Sequence, residues 1–110
     1  MIVIAVTDVF FAAKITETAA QLSKEVLCID TAAQLHQAMM QKPSVIIADL
    51  EEFPLPALKT AKSRAPDTLV IGFLSHMRKD LQEQAEHFCD AVISRSEFTK
   101  KLPELLEKAG

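Results

Sequence analysis

Trp and Tyr are absent from this chain of 110 residues, which also has only two Gly, two Cys and no long apolar run. Each shortage excludes something. No uninterrupted apolar stretch approaches the roughly 18 residues of a membrane-spanning helix, and the opening "MIVIAVTD" lacks the positive charge of a leader. The expected compartment is the cytoplasm. With so few glycines there is no Gly-rich loop to cradle phosphate groups, so a domain built around a small anionic ligand has no support. Cys28 in "VLCID" and Cys89 in "HFCDA" lack metal-ligand spacing and sit in or beside apolar runs, where free Cys behaves as a small hydrophobe in a reducing compartment. Basic charge is scarce as well: Lys and Arg number 12 against 15 Asp and Glu, the net charge is −3, and no cluster of Lys and Arg goes beyond a pair such as Lys100 and Lys101. That balance argues against a nucleic-acid or membrane-surface binder and leaves proteins or cations as partners. Linkers and low-complexity tracts are missing too, so residues 1–110 read as a single domain, and an output domain in any longer protein would follow Gly110.

What is present is core-forming sequence. Hydrophobic residues make up 49% of the chain and charged residues 25%, the composition of a compact domain that buries roughly two-thirds of its unfolded surface. Five short runs rich in Val and Ile occupy Ile2 to Val6, Val26 to Ile29, Val45 to Ala48, Leu69 to Leu74 and Ala91 to Ile93. Most lack polar alternation, which predicts strands covered on both faces, as in a parallel sheet.

Helical spacing follows each run. The predicted apolar faces are Phe11, Ile15, Ala19 and Leu22; Ala32, Leu35 and Met39; Leu58, Ala61 and Ala65; Leu81, Ala85 and Phe88; and Phe98, Leu102, Leu105 and Ala109. Thr31 with Gln34 and Ser94 with Glu97 have capping-box spacing. Pro103 predicts a kink or a late start in the last helix, because proline inside a helix costs about 3 kcal/mol. Strand-plus-helix units of about twenty residues require helical, right-handed crossovers between parallel strands. The fold class is therefore α/β, five strands with helices on both faces.

In such sheets ligands bind beyond the carboxyl ends of the strands. Those ends carry Thr7 and Asp8, Asp30, Asp49, Ser75 and His76, and Ser94 and Arg95, whereas the opposite ends carry a scatter with no evident common purpose. The third strand shows the contrast most sharply: in "KPSVIIADLEEFP" an apolar run ends in Asp49, Glu51 and Glu52. Two carboxylates brought together need a proton, a cationic side chain or a hard metal ion, and Asp8 with Asp49 suggests Mg2+. Ser75 and Arg95 would suit the oxygens of a transferred phosphoryl group.

These residues resemble a known family. "PSVIIADL", "LKTAKSRAPDTLVIGFLS" and "AEHFCDAVISR", with Asp8 after the first strand, are similar in order and content to the response-regulator receiver domains of two-component signalling, the chemotaxis-protein type of flavodoxin-like fold. The resemblance covers nearly the whole chain and implies strand order 2-1-3-4-5. It implies Asp49 as phosphoacceptor, Ser75 as switch hydroxyl, Arg95 in place of the usual Lys, and Mg2+ held by Asp8, Asp49 and the backbone carbonyl of Glu51. It also implies a histidine kinase or phosphotransfer protein as donor, with the signal leaving through the fourth helix, fifth strand and fifth helix. That order puts Cys28 and Cys89 roughly 19 Å apart, at about 4.8 Å per strand, too far for a disulfide.

The chain departs from the family pattern in the site itself. Thr7 stands where the first acid of the pair is usual, which weakens metal binding. Arg95 is followed by Ser96 instead of Pro, and its planar fork is not equivalent to an ammonium. Val92 replaces the aromatic that swings inward on activation, and Pro54 falls one residue late, with Phe53 in its place. Several roles stay open at this level. Asp8 is a metal ligand or a helix N-cap, Asp49 a phosphoacceptor or a strand end, and Arg95 a partner of Asp49 or a surface cation. Ser75 is a switch or a loop hydroxyl. Asp30 reads as a turn or cap and Glu52 as solvated; His36 and His87 lack ligand spacing, and His76 would lie on the loop above the site. Phe10, Phe11 and Phe53 are expected to crowd the same edge, covering the pocket or meeting a partner helix. Two functions follow: a phosphoaccepting receiver with at most self-catalysed phosphoryl transfer and dephosphorylation, or a pseudo-receiver that keeps the fold for protein interaction without the chemistry.

Overall fold

The computed structural model describes residues 1–75 and 78–108. Its elements alternate throughout: β1 (Ile2–Ala5), α1 (Val9–Gln21), β2 (Val26–Ile29), α2 (Ala32–Ala38), β3 (Val45–Asp49), α3 (Leu55–Arg64), β4 (Leu69–Leu74), α4 (Lys79–Glu86), β5 (Ala91–Ser94) and α5 (Arg95–Lys108), with a 3-10 turn at Met39–Gln41. The strands form one parallel sheet in the order β2-β1-β3-β4-β5. The order reverses between β1 and β3, whose register pairs Ala5 with Ala48. Asp8 and Asp49 therefore leave the same sheet edge from neighbouring strands.

Side-chain alternation divides the core between the two faces of the sheet. Ile2, Ile4, Val45, Ile47, Ile71 and Phe73 point towards α1 and α5 and pack with Phe11, Ile15, Phe98, Leu102 and Leu106. Val3, Ala5, Ile46, Ala48 and Val70 point the other way and pack with Leu35, Leu58, Leu81 and Ala85 from α2, α3 and α4. This double coverage explains the unbroken apolar runs of the three central strands. It does not extend to the edges: Val26 and Leu27 are half-buried and Cys28 exposed in β2, and β5 is only half-buried. Cys28 is thus no buried hydrophobe, while half-buried Cys89 packs against the core; both thiols are free.

Capping accounts for the helix starts. Asp8 accepts from the N–H groups of Phe10 and Phe11, and Thr31 with Gln34 forms a complete capping box. At α5 only half of the predicted box forms: Ser94 Oγ accepts from Glu97 N–H, but the Glu97 carboxylate pairs with Lys101 one turn on. Helix α5 runs through Pro103 as a single element. Proline lies on the exposed side while Phe98, Leu102 and Leu106 are buried on both sides of it, so packing holds the helix across the lost hydrogen bond. Leu106, absent from the predicted face, is fully buried on it, and Leu105 packs against the same core only partly buried; Ala109 lies outside the described residues. Helix α2 is shorter than its pattern suggests, burying Leu35 and Ala38 and leaving Ala32 exposed. Among the described residues no helix is long and apolar enough to cross a membrane.

Candidate functional site at the carboxyl edge of the sheet

Thr7, Asp8, Asp49, Glu51, Glu52, Ser75 and Arg95 line one polar cavity of about 390 Å³ at the carboxyl ends of β1, β3, β4 and β5. The topology thus gathers the residues that the sequence singled out, apart from Asp30, which is exposed after edge strand β2, Ser94, which caps α5 and lines a neighbouring cavity, and His76, which lies outside the described residues.

Asp49 ends the fully buried strand β3 and is only 3% exposed. Its Oδ1 accepts from the Glu51 N–H at 3.1 Å. Burial pushes its pKa above the usual carboxylate value, the Glu51 N–H works against that, and the nearby charges of Glu51 and Glu52 add to the rise, with Arg95 opposing. A carboxylate kept dry with little compensation is chemically poised, either as a nucleophile needing a counter-charge or as a group that readily takes a proton.

The counter-charge does not go to Asp49. The Arg95 guanidinium donates to Asp8 Oδ2 at 2.9 Å, and it lies over the Phe11 ring with its central carbon 4.1 Å from the centroid. Its other amino group stands 3.5 Å from Ser75 Oγ. Phe11 in turn packs edge-on against Phe73, which stacks on Phe98, so a rigid aromatic floor supports the guanidinium. The Arg95 hydrogen bond, followed by the Phe11 N–H, holds the Asp8 carboxyl below its ordinary pKa. Of the two open readings of Asp8, the helix cap is present: Oδ1 caps α1, while Oδ2 holds Arg95.

Glu51 has a further role that the sequence did not suggest. Its carboxylate folds back over the site and accepts from the Ser75 N–H, fastening the loop after β4 to the loop after β3. Nothing in the local sequence announces this contact beyond an acid two residues after Asp49. Phe53, in place of the expected proline, is buried in the core, and Phe11 lies beneath Arg95; of the three aromatics expected to crowd this edge, only Phe10 is exposed, at 88%.

The donor set bears directly on Mg2+, which takes oxygen ligands in strict octahedral geometry. Asp8 has both oxygens engaged, one of them by a fixed cation; Thr7 supplies no carboxylate; and the Glu51 carboxylate is committed to Ser75. Among the described residues no group of three or more His, Cys, Asp or Glu is arranged to hold a metal ion. As arranged, Asp8 is taken up by the α1 cap and by Arg95, so a divalent cation would have to displace the guanidinium to reach it, while Asp49 and the Glu51 backbone carbonyl are the other two ligands that the sequence suggested.

No family model matches the sequence, and no curated protein is similar to it by sequence. Solved structures are similar in fold. The phosphorylated cyanobacterial phytochrome response regulator RcpA superimposes with a TM-score of 0.78 at 16% identity, covering 97% of this chain and 88% of that one. The chain has the receiver-domain fold. A CheY-like receiver domain protein of Methanospirillum hungatei gives a TM-score of 0.76 at 17% identity, over 98% of this chain and 94% of that one. The response regulator domain of Thermotoga maritima CheB gives 0.74 at 22% identity, over 98% and 91%. On this receiver fold, Val92 of β5 is half-buried beside a cavity of about 250 Å³ that Leu74, Gln82 and Glu97 also line. There is no aromatic at that position to move inward.

Proposed function

We propose that the chain is a receiver-type module of two-component signalling that works through protein contacts and does not depend on phosphoryl transfer. The observation that carries this reading is the Asp8–Arg95 pair at 2.9 Å, seated on Phe11, which neutralises the edge of the site with a tethered cation. Thr7 in place of an acid and Val92 in place of an aromatic agree with it. On this reading, Asp49→Asn leaves partner binding unchanged, and Mg2+ titration followed by NMR shows no saturable site below the millimolar range.

A second reading rests on Asp49 itself, a dry carboxylate opening into a polar cavity with Ser75 and Arg95 on its walls. Asp49 would then accept a phosphoryl group from a histidine kinase or phosphotransfer protein, Arg95 would turn from Asp8 to the new charge, and Ser75 would report it to α4, β5 and α5. One measurement separates the two. The protein is incubated with Mg2+ and a small-molecule phosphodonor and its intact mass is read. An unchanged mass is expected; an added phosphate that disappears in Asp49→Asn would establish the second reading and overturn the first.

A further inference from the structure

An apolar concavity lies away from the Asp49 cavity and shares no lining residue with it. It is a trough of about 570 Å³ between α2 and α3. It exists because α2 stops after seven residues and passes into the 3-10 turn at Met39–Gln41, so the longer α3 is left partly uncovered. Small side chains, among them Ala57 and Ala61, form its floor; Leu35, Met39 and Met40 form one wall. Met40 is 75% exposed, an unusual position for so apolar a residue. Methionine side chains are flexible and polarisable, and such surfaces adapt to apolar partners.

We propose that this trough is the docking surface for an acidic amphipathic helix of a partner protein. Three observations select that occupant. The lining includes the cation Arg64, along with His36, and no acidic residue, on a chain whose net charge is −3 with His counted as neutral; the sign that Arg64 gives the trough is opposite to that of the molecule. The walls are helices whose backbone groups are paired internally, so an incoming segment finds no strand edge to join and must satisfy its own backbone, as a helix does. Finally, α3 spans ten residues, roughly 15 Å at about 1.5 Å per residue, which accommodates about three turns of a partner helix with apolar residues three and four apart.

The proposal goes beyond the function assigned to the Asp49 site and stands whether or not that residue is phosphorylated. It is tested on the isotope-labelled full chain with two synthetic helical peptides that share one leucine-rich face, one flanked by Glu and the other by Lys. The Glu peptide is expected to shift backbone amides of α2, Met39, Met40 and α3, and to bind at least tenfold more tightly than the Lys peptide. Arg64→Glu should remove that preference, and Met40→Asp should weaken the Glu peptide about tenfold. Both positions are exposed, and circular dichroism verifies that each variant is folded. Three outcomes overturn the proposal: no binding of either peptide, equal binding of both, or shifts centred elsewhere, such as at exposed Val9 and Phe10. Shifts in the trough that grow with protein concentration and need no peptide would assign it to a second copy of this chain, and overturn it too.

Discussion

Among the described residues, only two polar side chains belong to the buried class, Thr68 and Asp49, one near each end of the sheet. Thr68, just before β4, is fully tied: its hydroxyl donates to the Pro43 carbonyl, its N–H donates to Ala65, and its carbonyl accepts from Lys62. Lys62 spends its three donors on the Pro66 and Thr68 carbonyls and on Asp90, each at 2.9 Å, and Asp90 also accepts from the Val70 N–H. Asp49, the last residue of β3, is buried as deeply, yet its neighbouring cation is given to Asp8. Buried polar groups that are fully paired belong to the architecture, whereas a buried acid left short of charge compensation is kept for something else. The amino end of the sheet is a tie and the carboxyl end is the candidate site.

Breaking the tie should have the largest effect. Lys62→Met keeps the apolar stem and removes all three hydrogen bonds, leaving two carbonyls and Asp90 without their donor. A loss of about 2–3 kcal/mol is expected, discounted from a fully buried pair because Asp90 is partly exposed. Since the chain has neither Trp nor Tyr, the measurement is urea denaturation followed by circular dichroism. A loss below 0.5 kcal/mol, as for ordinary surface substitutions, would reduce the amino-end cluster to decoration.

How much of this was legible in the sequence depends on how local the cause is. Strand positions come out within a residue at each end, because unbroken Val and Ile runs have few other places to go than a doubly covered sheet. The convergence of Asp8, Asp49, Ser75 and Arg95 was legible too, since parallel topology sends every strand's last residues to one edge. What was not legible is pairing within a few ångströms. Nothing in a linear pattern tells Arg95 to choose Asp8 over Asp49; that choice depends on Phe11, three residues after Asp8, folding under the guanidinium. The amino-end residues Thr68 and Asp90 looked like a scatter for the same reason, because their common partner Lys62 lies inside α3 and not at a strand end. Leu106 joins the buried face of α5, with Leu105 only partly buried beside it, because docking on the sheet, and not the spacing alone, selects the stripe.

A smaller effect, of opposite sign, is expected from the turns at the amino end. Ser23 has a φ of 57° and stands one residue past the cap of α1, where its N–H reaches Ala20 and that of Lys24 reaches Ala19. That double closure favours glycine, and a side chain in the left-handed region costs about 1–2 kcal/mol. Ser23→Gly should therefore stabilise by about 1 kcal/mol, less the added freedom of the unfolded chain, read as an upward shift of Tm. No change, or a decrease, would mean that the serine side chain is compensated in place.

At the carboxyl end, substitution should alter binding more than stability. Arg95→Ala removes the contact with Phe11, worth about 0.5–1 kcal/mol, and frees Asp8 Oδ2. Combined with Thr7→Asp, it should produce a saturable Mg2+ response in NMR spectra, in contrast to the absence of one proposed for the wild type. A double variant that remains blind to Mg2+ would show that Arg95 is not what occupies the cation position.

The two ends should finally differ in how they respond to acid, an effect that is small and diagnostic by sign. Asp90 at the amino end and Asp8 at the carboxyl end have native pKa values below 3.8. Burial opposes ionisation of Asp90, but Lys62 and the Val70 N–H outweigh it; Arg95 and the Phe11 N–H depress Asp8. Below 3.8 the unfolded chain binds more protons at these groups, so the stability they contribute is present above that value and lost as pH falls through their native pKa. Asp49 is the reverse: its native pKa lies above 3.8, so the folded chain holds the extra proton and stability declines as pH rises from 3.8 through the native value. Subtracting the stability curve of Asp49→Asn from that of the wild type removes the carboxylates common to both and should leave this decline alone. A flat difference would mean that Asp49 is compensated as completely as Thr68, and the contrast between a tie and a site would disappear with it.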